Sequence, residues 1–130
     1  MQSHISPESK IFNLQEARAL LPLIQSITKK HQTQLEPIQE RLNRLLSNDP
    51  RRNAIEQEYE ALVEQWINKI EKLGAQVFGL WVVQFDVGEG FLCWKYPELK
   101  VNYFRQYDAS FATRLSISQI VEEQDPDWAR

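Results

Sequence analysis

One cysteine, two histidines and four glycines in 130 residues leave few of the parts from which small proteins build covalent or metal chemistry. A lone Cys93 cannot close an internal disulfide, so the fold must rest on its core, and a reducing, cytoplasmic setting is expected. His4, His31 and Cys93 lie far apart in the chain and give no metal-ligand spacing, so neither a metal nor a cofactor is expected. GxGxxG, GKS or GKT, HExxH and GxSxG are all missing. No apolar run approaches the roughly 18 to 20 residues that cross a bilayer, and the longest, around Val77–Val83, is strand-sized. The opening MQSHISPESK has no apolar stretch either, so neither a leader nor a membrane partner is expected.

Charge of one sign is equally scarce. The formal net charge is −3, and residues 14–73 carry nine acids against nine bases. The excess sits in the tail, where Glu122, Glu123, Asp125 and Asp127 face Arg130 alone. A neutral body lacks the wide basic field that non-specific nucleic-acid binding relies on, so no nucleic-acid partner is expected.

What remains is ordinary globular material, 42% hydrophobic and 25% charged, in a chain of single-domain size. The punctuation divides it into a flexible N-terminus (1–12), a helical hairpin (13–74), a β-meander (76–115), and a short helix with an acidic tail (116–130). Asn13 followed by Glu16 is a capping-box start. Leu14, Ala17, Leu20, Leu21, Ile24, Ile27, His31, Leu35, Ile38, Leu42 and Leu45 then recur in threes and fours, the spacing of one helical stripe. Pro22 and Pro37 fall inside it. Each lacks a backbone donor, so Pro22 marks either a kink or a fresh helix start and Pro37 a kink. Asp49-Pro50 reads as the cap and first residue of a second helix with the stripe Ile55, Tyr59, Leu62, Val63, Trp66, Ile70 and Leu73, and Gly74 offers the left-handed exit. Residues 23–46 and 50–73 would each span about 36 Å, matched arms of an antiparallel hairpin. His31 on the apolar stripe reads as a satisfied core histidine, and Glu56, Glu58, Glu60 and Glu64 as solvated helix positions.

After Gly74 the period changes to that of strands. Val77–Phe85, Phe91–Tyr96 and Lys100–Tyr107 read as three strands of an antiparallel meander, separated by Asp86-Val87-Gly88-Glu89-Gly90 and Pro97-Glu98-Leu99. Ser116 and Gln119 open a last short helix around Ile117, Ile120 and Val121, and fraying is expected beyond Asp125-Pro126. The fold class is therefore α+β: a long antiparallel hairpin kinked near Pro22 and Pro37, a small three-stranded meander, and a short C-terminal helix.

Phe91–Arg114 concentrates the aromatics. Phe91, Cys93 and Lys95 point to one face of their strand, and Leu92, Trp94 and Tyr96 to the other, so both faces are partly apolar. Helices can cover one; a partner subunit, the tail or a ligand must cover the other. Packing is the ordinary use of aromatics at this density. The sharper reading sets Trp94, Glu98, Tyr103, Arg105 and Arg114 around a site where guanidinium groups hold an anion and rings stack on its planar part. Cys93, between Leu92 and Trp94, reads as a small buried apolar residue with no base beside it, so no catalytic residue is assigned.

The order Phe12-x-Leu-x-Glu-Ala-Arg-x-Leu-Leu-Pro22, then Gly79-Leu80, then Leu92-Cys93-Trp94-Lys95, and finally Phe111-x-x-Arg114 resembles the bacterial family known as domain of unknown function 2203, over about residues 11–117. The resemblance implies a stand-alone bacterial cytoplasmic domain with a helical hairpin and a small sheet, and no established activity. That family's pattern has an Asp where Val82 stands, a Trp-His pair near Phe104-Arg105, and glycines where Ser110 and Thr113 stand. A site built on those positions would be lost or remodelled here, which tells against an enzyme. The function expected is a non-catalytic protein-interaction or scaffold module acting as a homodimer. The alternative is a small-molecule or anion-binding protein, or an enzyme, using the five residues of the aromatic hairpin.

Overall fold

The structure is a computed structural model and describes residues 9–130. His4 and the rest of residues 1–8 lie outside the described residues.

Helix α1 (Leu14–Asn43) and helix α2 (Arg52–Lys72) form the expected antiparallel pair. The capping box at the start of α1 is present: the Asn13 side chain accepts from the Glu16 N–H at 2.8 Å, and the Asn13 N–H donates to the Glu16 carboxylate at 3.0 Å. The helix runs through both prolines without a break, so Pro22 starts no second helix. Asp49 does not cap α2 either. Its carboxylate accepts from the Arg51 N–H and side chain, closing the turn one step earlier, and no side chain caps Arg51. Along the hairpin, the Trp66 indole N–H donates to the Thr28 hydroxyl at 2.9 Å in the core. His31, 1% exposed, donates from Nδ1 to the Ile27 carbonyl at 2.7 Å and is the satisfied core histidine its stripe position predicts. Glu56, Glu58, Glu60 and Glu64 are exposed.

Among the described residues the sheet has five antiparallel strands, not three, in the order β1 (Gln76–Gly79), β2 (Val82–Asp86), β3 (Phe91–Lys95), β4 (Tyr103–Arg105) and β5 (Leu115–Ser116). The run read as one strand over Val77–Phe85 folds back on itself at Leu80–Trp81. Trp81 takes a positive φ of 61° and lays its ring edge-to-face on Trp66 at 4.9 Å, so an aromatic occupies a turn position that glycine usually holds. A strand signal alone cannot show such a reversal. Within Lys100–Tyr107 only three residues pair, because Leu99–Asn102 diverges to run beside α1.

Register sorts the side chains into two faces. Val77, Val83 and Trp94 form one row and Phe85, Leu92 and Phe104 another, and both rows join Leu21, Ile24, Trp66 and Ile70 in a single apolar cluster with the helices. Gln76, Gln84, Cys93 and Tyr103 form a row on the opposite face, beside Asp86, Phe91 and Arg105. Residues 106–114, a strap with a short 3-10 turn at Phe111–Thr113, fold back over that second face. Phe111 stacks on Phe78 at 6.1 Å and Tyr107 meets Phe91 edge-on at 5.0 Å. The chain thus covers its own second face, a cover the sequence reading assigned to a partner, the tail or a ligand.

Helix α3 (Ile117–Gln124) buries Ile117 and Ile120. Asp125, at φ 44°, ends it in the left-handed conformation. The expected fraying beyond is corrected: Trp128 is buried and stacks on Phe104 at 5.2 Å. At the other end Phe12 is buried too, edge-on to Phe85 at 5.2 Å, and its N–H donates to the Asp86 carbonyl, so packing reaches back into the segment expected to be flexible.

Candidate functional site

The five residues of the aromatic hairpin do not share one open cavity. Trp94 faces the helices, fully buried, and its indole N–H donates to the Glu98 carbonyl at 2.7 Å. Glu98, Tyr103 and Arg114 do come together: the Arg114 guanidinium pairs with the Glu98 carboxylate at 2.9 Å and lies 4.2 Å above the rings of both Tyr103 and Phe111. The Glu98 carboxylate also accepts from the Lys95 N–H at 2.8 Å, which fixes the turn after β3. Arg105 is separate and 3% exposed. Its Nη1 donates to the Ala109 carbonyl at 2.7 Å, its Nη2 to the Gln84 side-chain oxygen, and the rings of Phe78 and Phe91 lie 4.4 and 5.0 Å from it. Both arginines hold the strap against the sheet. Burial pushes the Cys93 thiol pKa up, with the Arg105 charge and hydrogen bond pulling more weakly the other way, so the thiol is protonated at neutral pH.

The open space lies elsewhere. A cleft of about 610 Å³ separates the first half of α1 from residues 99–102 and the start of α3. Leu21, Pro22, Leu99 and Val101 give it an apolar lining, and Gln25, Asn102 and Ser118 supply neutral polar groups. Arg18 and Lys100 stand at its rim. Both are exposed, and neither has a hydrogen-bond or ion-pair partner among the described residues. Among the described residues no carboxylate lines this cleft. Pro22 has no N–H to give the Arg18 carbonyl, so the helix leaves an acceptor beside the hollow as well.

A second hollow of about 410 Å³ continues along α1 past Ser26 and Lys29 to Trp94, Tyr96, Pro97 and Glu98, so two of the five hairpin residues line it. Gln25 and Leu99 border both. The Gln25 side-chain amide donates to the carbonyls of Leu99 at 3.2 Å and Glu98 at 3.4 Å, which ties the turn to the helix and fixes the width of the cleft. The one acid here, Glu98, is already paired with Arg114. Lys29, like Arg18 and Lys100, has no partner among the described residues.

Sequence reasoning missed this cleft because its parts are dispersed. Arg18 and Gln25 lie off the apolar stripe of α1, Lys100 and Asn102 follow a turn, and Ser118 sits in the first turn of α3. Arg18 and Pro22 do stand inside the Phe12–Pro22 motif, which was the available signal.

Among the described residues no helix is long and apolar enough to cross a membrane, and no group of three or more His, Cys, Asp or Glu could hold a metal ion. A family model described as uncharacterized conserved protein (DUF2203) matches residues 10–117. No curated protein and no solved structure matches the chain.

Proposed function

The chain belongs to the DUF2203 family of uncharacterized conserved proteins, and from that premise we propose that it is a non-catalytic binding protein for a small organic anion, held between α1 and residues 99–102. The observation that carries this reading is the pair of uncompensated cations, Arg18 and Lys100, at the mouth of a cleft with an apolar lining. At about 610 Å³ the space falls within the roughly 300 to 1,000 Å³ that small-molecule sites occupy. Two cations with no facing acid favour a carboxylate, sulfonate or phosphate group, and Leu21, Leu99 and Val101 favour an apolar body behind it. The described lining residues include no histidine, cysteine or carboxylate to serve as a general base, and this supports binding over catalysis.

The reading moves the anion site away from Arg105 and Arg114, whose donors are engaged within the fold. It departs from the homodimeric scaffold module expected first, in which a partner subunit was one candidate cover for the second sheet face over which the strap 106–114 lies. A cytoplasmic setting remains part of the proposal, on the strength of the single reduced Cys93.

Titration with 8-anilinonaphthalene-1-sulfonate tests it, since this probe carries one anionic group on an apolar body. Saturable fluorescence enhancement is expected with the native protein. Arg18→Ala and Lys100→Ala should each weaken it about tenfold, the effect of roughly 1.4 kcal/mol from one lost charge-assisted contact. Equal affinity in wild type and in the double variant, with unchanged melting temperatures, would overturn the proposal.

A further inference from the structure

Arg105 is a buried cation with no anion. It is 3% exposed, and the groups it reaches, the Gln84 amide oxygen, the Ala109 carbonyl and the protonated Cys93 thiol, are all neutral. No ion pair reaches it among the described residues, and its Nε is buried without any hydrogen-bond partner. Removing a charge from water costs several kcal/mol unless an opposite charge offsets it, and an unmade hydrogen bond adds to that cost. The rings of Phe78 and Phe91 recover only part through their cation–π contacts. Nε shares one edge of the guanidinium with Nη2, which already donates to the neutral Gln84 oxygen. That is the geometry a carboxylate matches with two parallel hydrogen bonds.

The cover over this group is the strap, fastened at Tyr107, Phe111 and Arg114. The strap meets Arg105 through one carbonyl, that of Ala109, while Gln106, Tyr107, Asp108, Ser110, Ala112 and Thr113 are all exposed. Cys93, two residues from the partner of Arg105 in β3, shares the same face and contacts the guanidinium. We propose that residues 106–114 form a lid over a second anion site, independent of the cleft on α1, in which a small carboxylate displaces the Gln84 side-chain oxygen and pairs with Nε and Nη2 of Arg105, beside the Cys93 thiol.

Iodoacetate tests this, because its carboxylate is the proposed ligand and its methylene reports on Cys93. The thiol gives its proton to solvent, Sγ bonds to the methylene carbon and iodide leaves. Rates are compared with those of neutral iodoacetamide, each normalised to the same reagent on the urea-unfolded chain. The normalised iodoacetate-to-iodoacetamide ratio should rise about tenfold in the folded protein, the gain from one charge-assisted contact. Unreactive propionate should slow iodoacetate selectively. Arg105→Gln should abolish the preference while iodoacetamide still reacts, and Arg18→Ala should leave it intact. If Arg105→Gln fails to fold, the wild-type ratio and the propionate effect decide the matter alone. A folded-state ratio equal to that of the unfolded chain, no labelling by either reagent, or loss of the preference in Arg18→Ala would each overturn the proposal.

Discussion

The Arg114 guanidinium bridges the Glu98 carboxylate at 2.9 Å and the Tyr103 ring at 4.2 Å, so one side chain from the end of the strap clamps the turn after β3 to β4. Charge on this arginine is satisfied within the fold. The pair is only partly shielded, with side-chain exposures of 19% and 27%, which limits its strength.

Arg114→Ala is therefore expected to cost stability and leave anion binding at the α1 cleft unchanged. A loss of about 1 kcal/mol, or roughly 3 to 5 °C in melting temperature, follows from one weakened ion pair and two lost cation–π contacts. Thermal denaturation with parallel probe titration checks it. An unchanged melting temperature with lost binding would return the site to the aromatic hairpin.

Gly90 closes the β2–β3 turn under a tight roof. A Cβ there would stand 2.6 Å from the Arg105 carbonyl oxygen and 2.6 Å from the Phe104 ring. Gly90→Ala should therefore destabilise by about 1 to 3 kcal/mol through overpacking, read as a lower urea midpoint at unchanged slope. A midpoint equal to that of the wild type would mean that β4 approaches β3 less closely than the structure has it.

Tyr107 anchors the strap from outside. Its hydroxyl donates to the Asp86 carboxylate at 2.6 Å, and desolvation, this hydrogen bond and the neighbouring negative charge push its pKa from 10.0 to about 12. A folded-state pKa above the unfolded one means that the contribution is fully present below pH 10 and is lost as pH rises through about 12. Alkaline unfolding should accordingly lose one component in Tyr107→Phe, and ultraviolet titration should show one phenol ionising late. A wild-type phenol spectrum that titrates entirely near pH 10 would contradict the anchor.

The parts of the fold that follow a period were legible in advance. Asn13 with Glu16, the stripe from Leu14 to Leu42 and the exit at Gly74 are local signals, and the structure realises each of them. The reversal at Leu80–Trp81 was not legible, because its positive φ falls on a tryptophan whose reason for being there is Trp66, distant in sequence. The strap was missed for a similar cause: Phe111, Tyr107 and Arg114 look like meander residues until Phe78, Phe91 and Tyr103 are seen beneath them. Arginines in an aromatic stretch suggested a binding site, and what distinguishes bound from free charge is the partner, which only the fold supplies. Arg18 and Lys100 lie far apart along the chain and become neighbours only when Gln25 ties α1 to the turn at Leu99.

Amide chemical-shift mapping tests the anion-binding reading most directly. Titrating 8-anilinonaphthalene-1-sulfonate into isotopically labelled protein should shift the backbone amides of Arg18, Gln25, Lys100, Asn102 and Ser118 together, along one saturation curve. Shifts confined to other surfaces, or none at millimolar probe, would contradict the account.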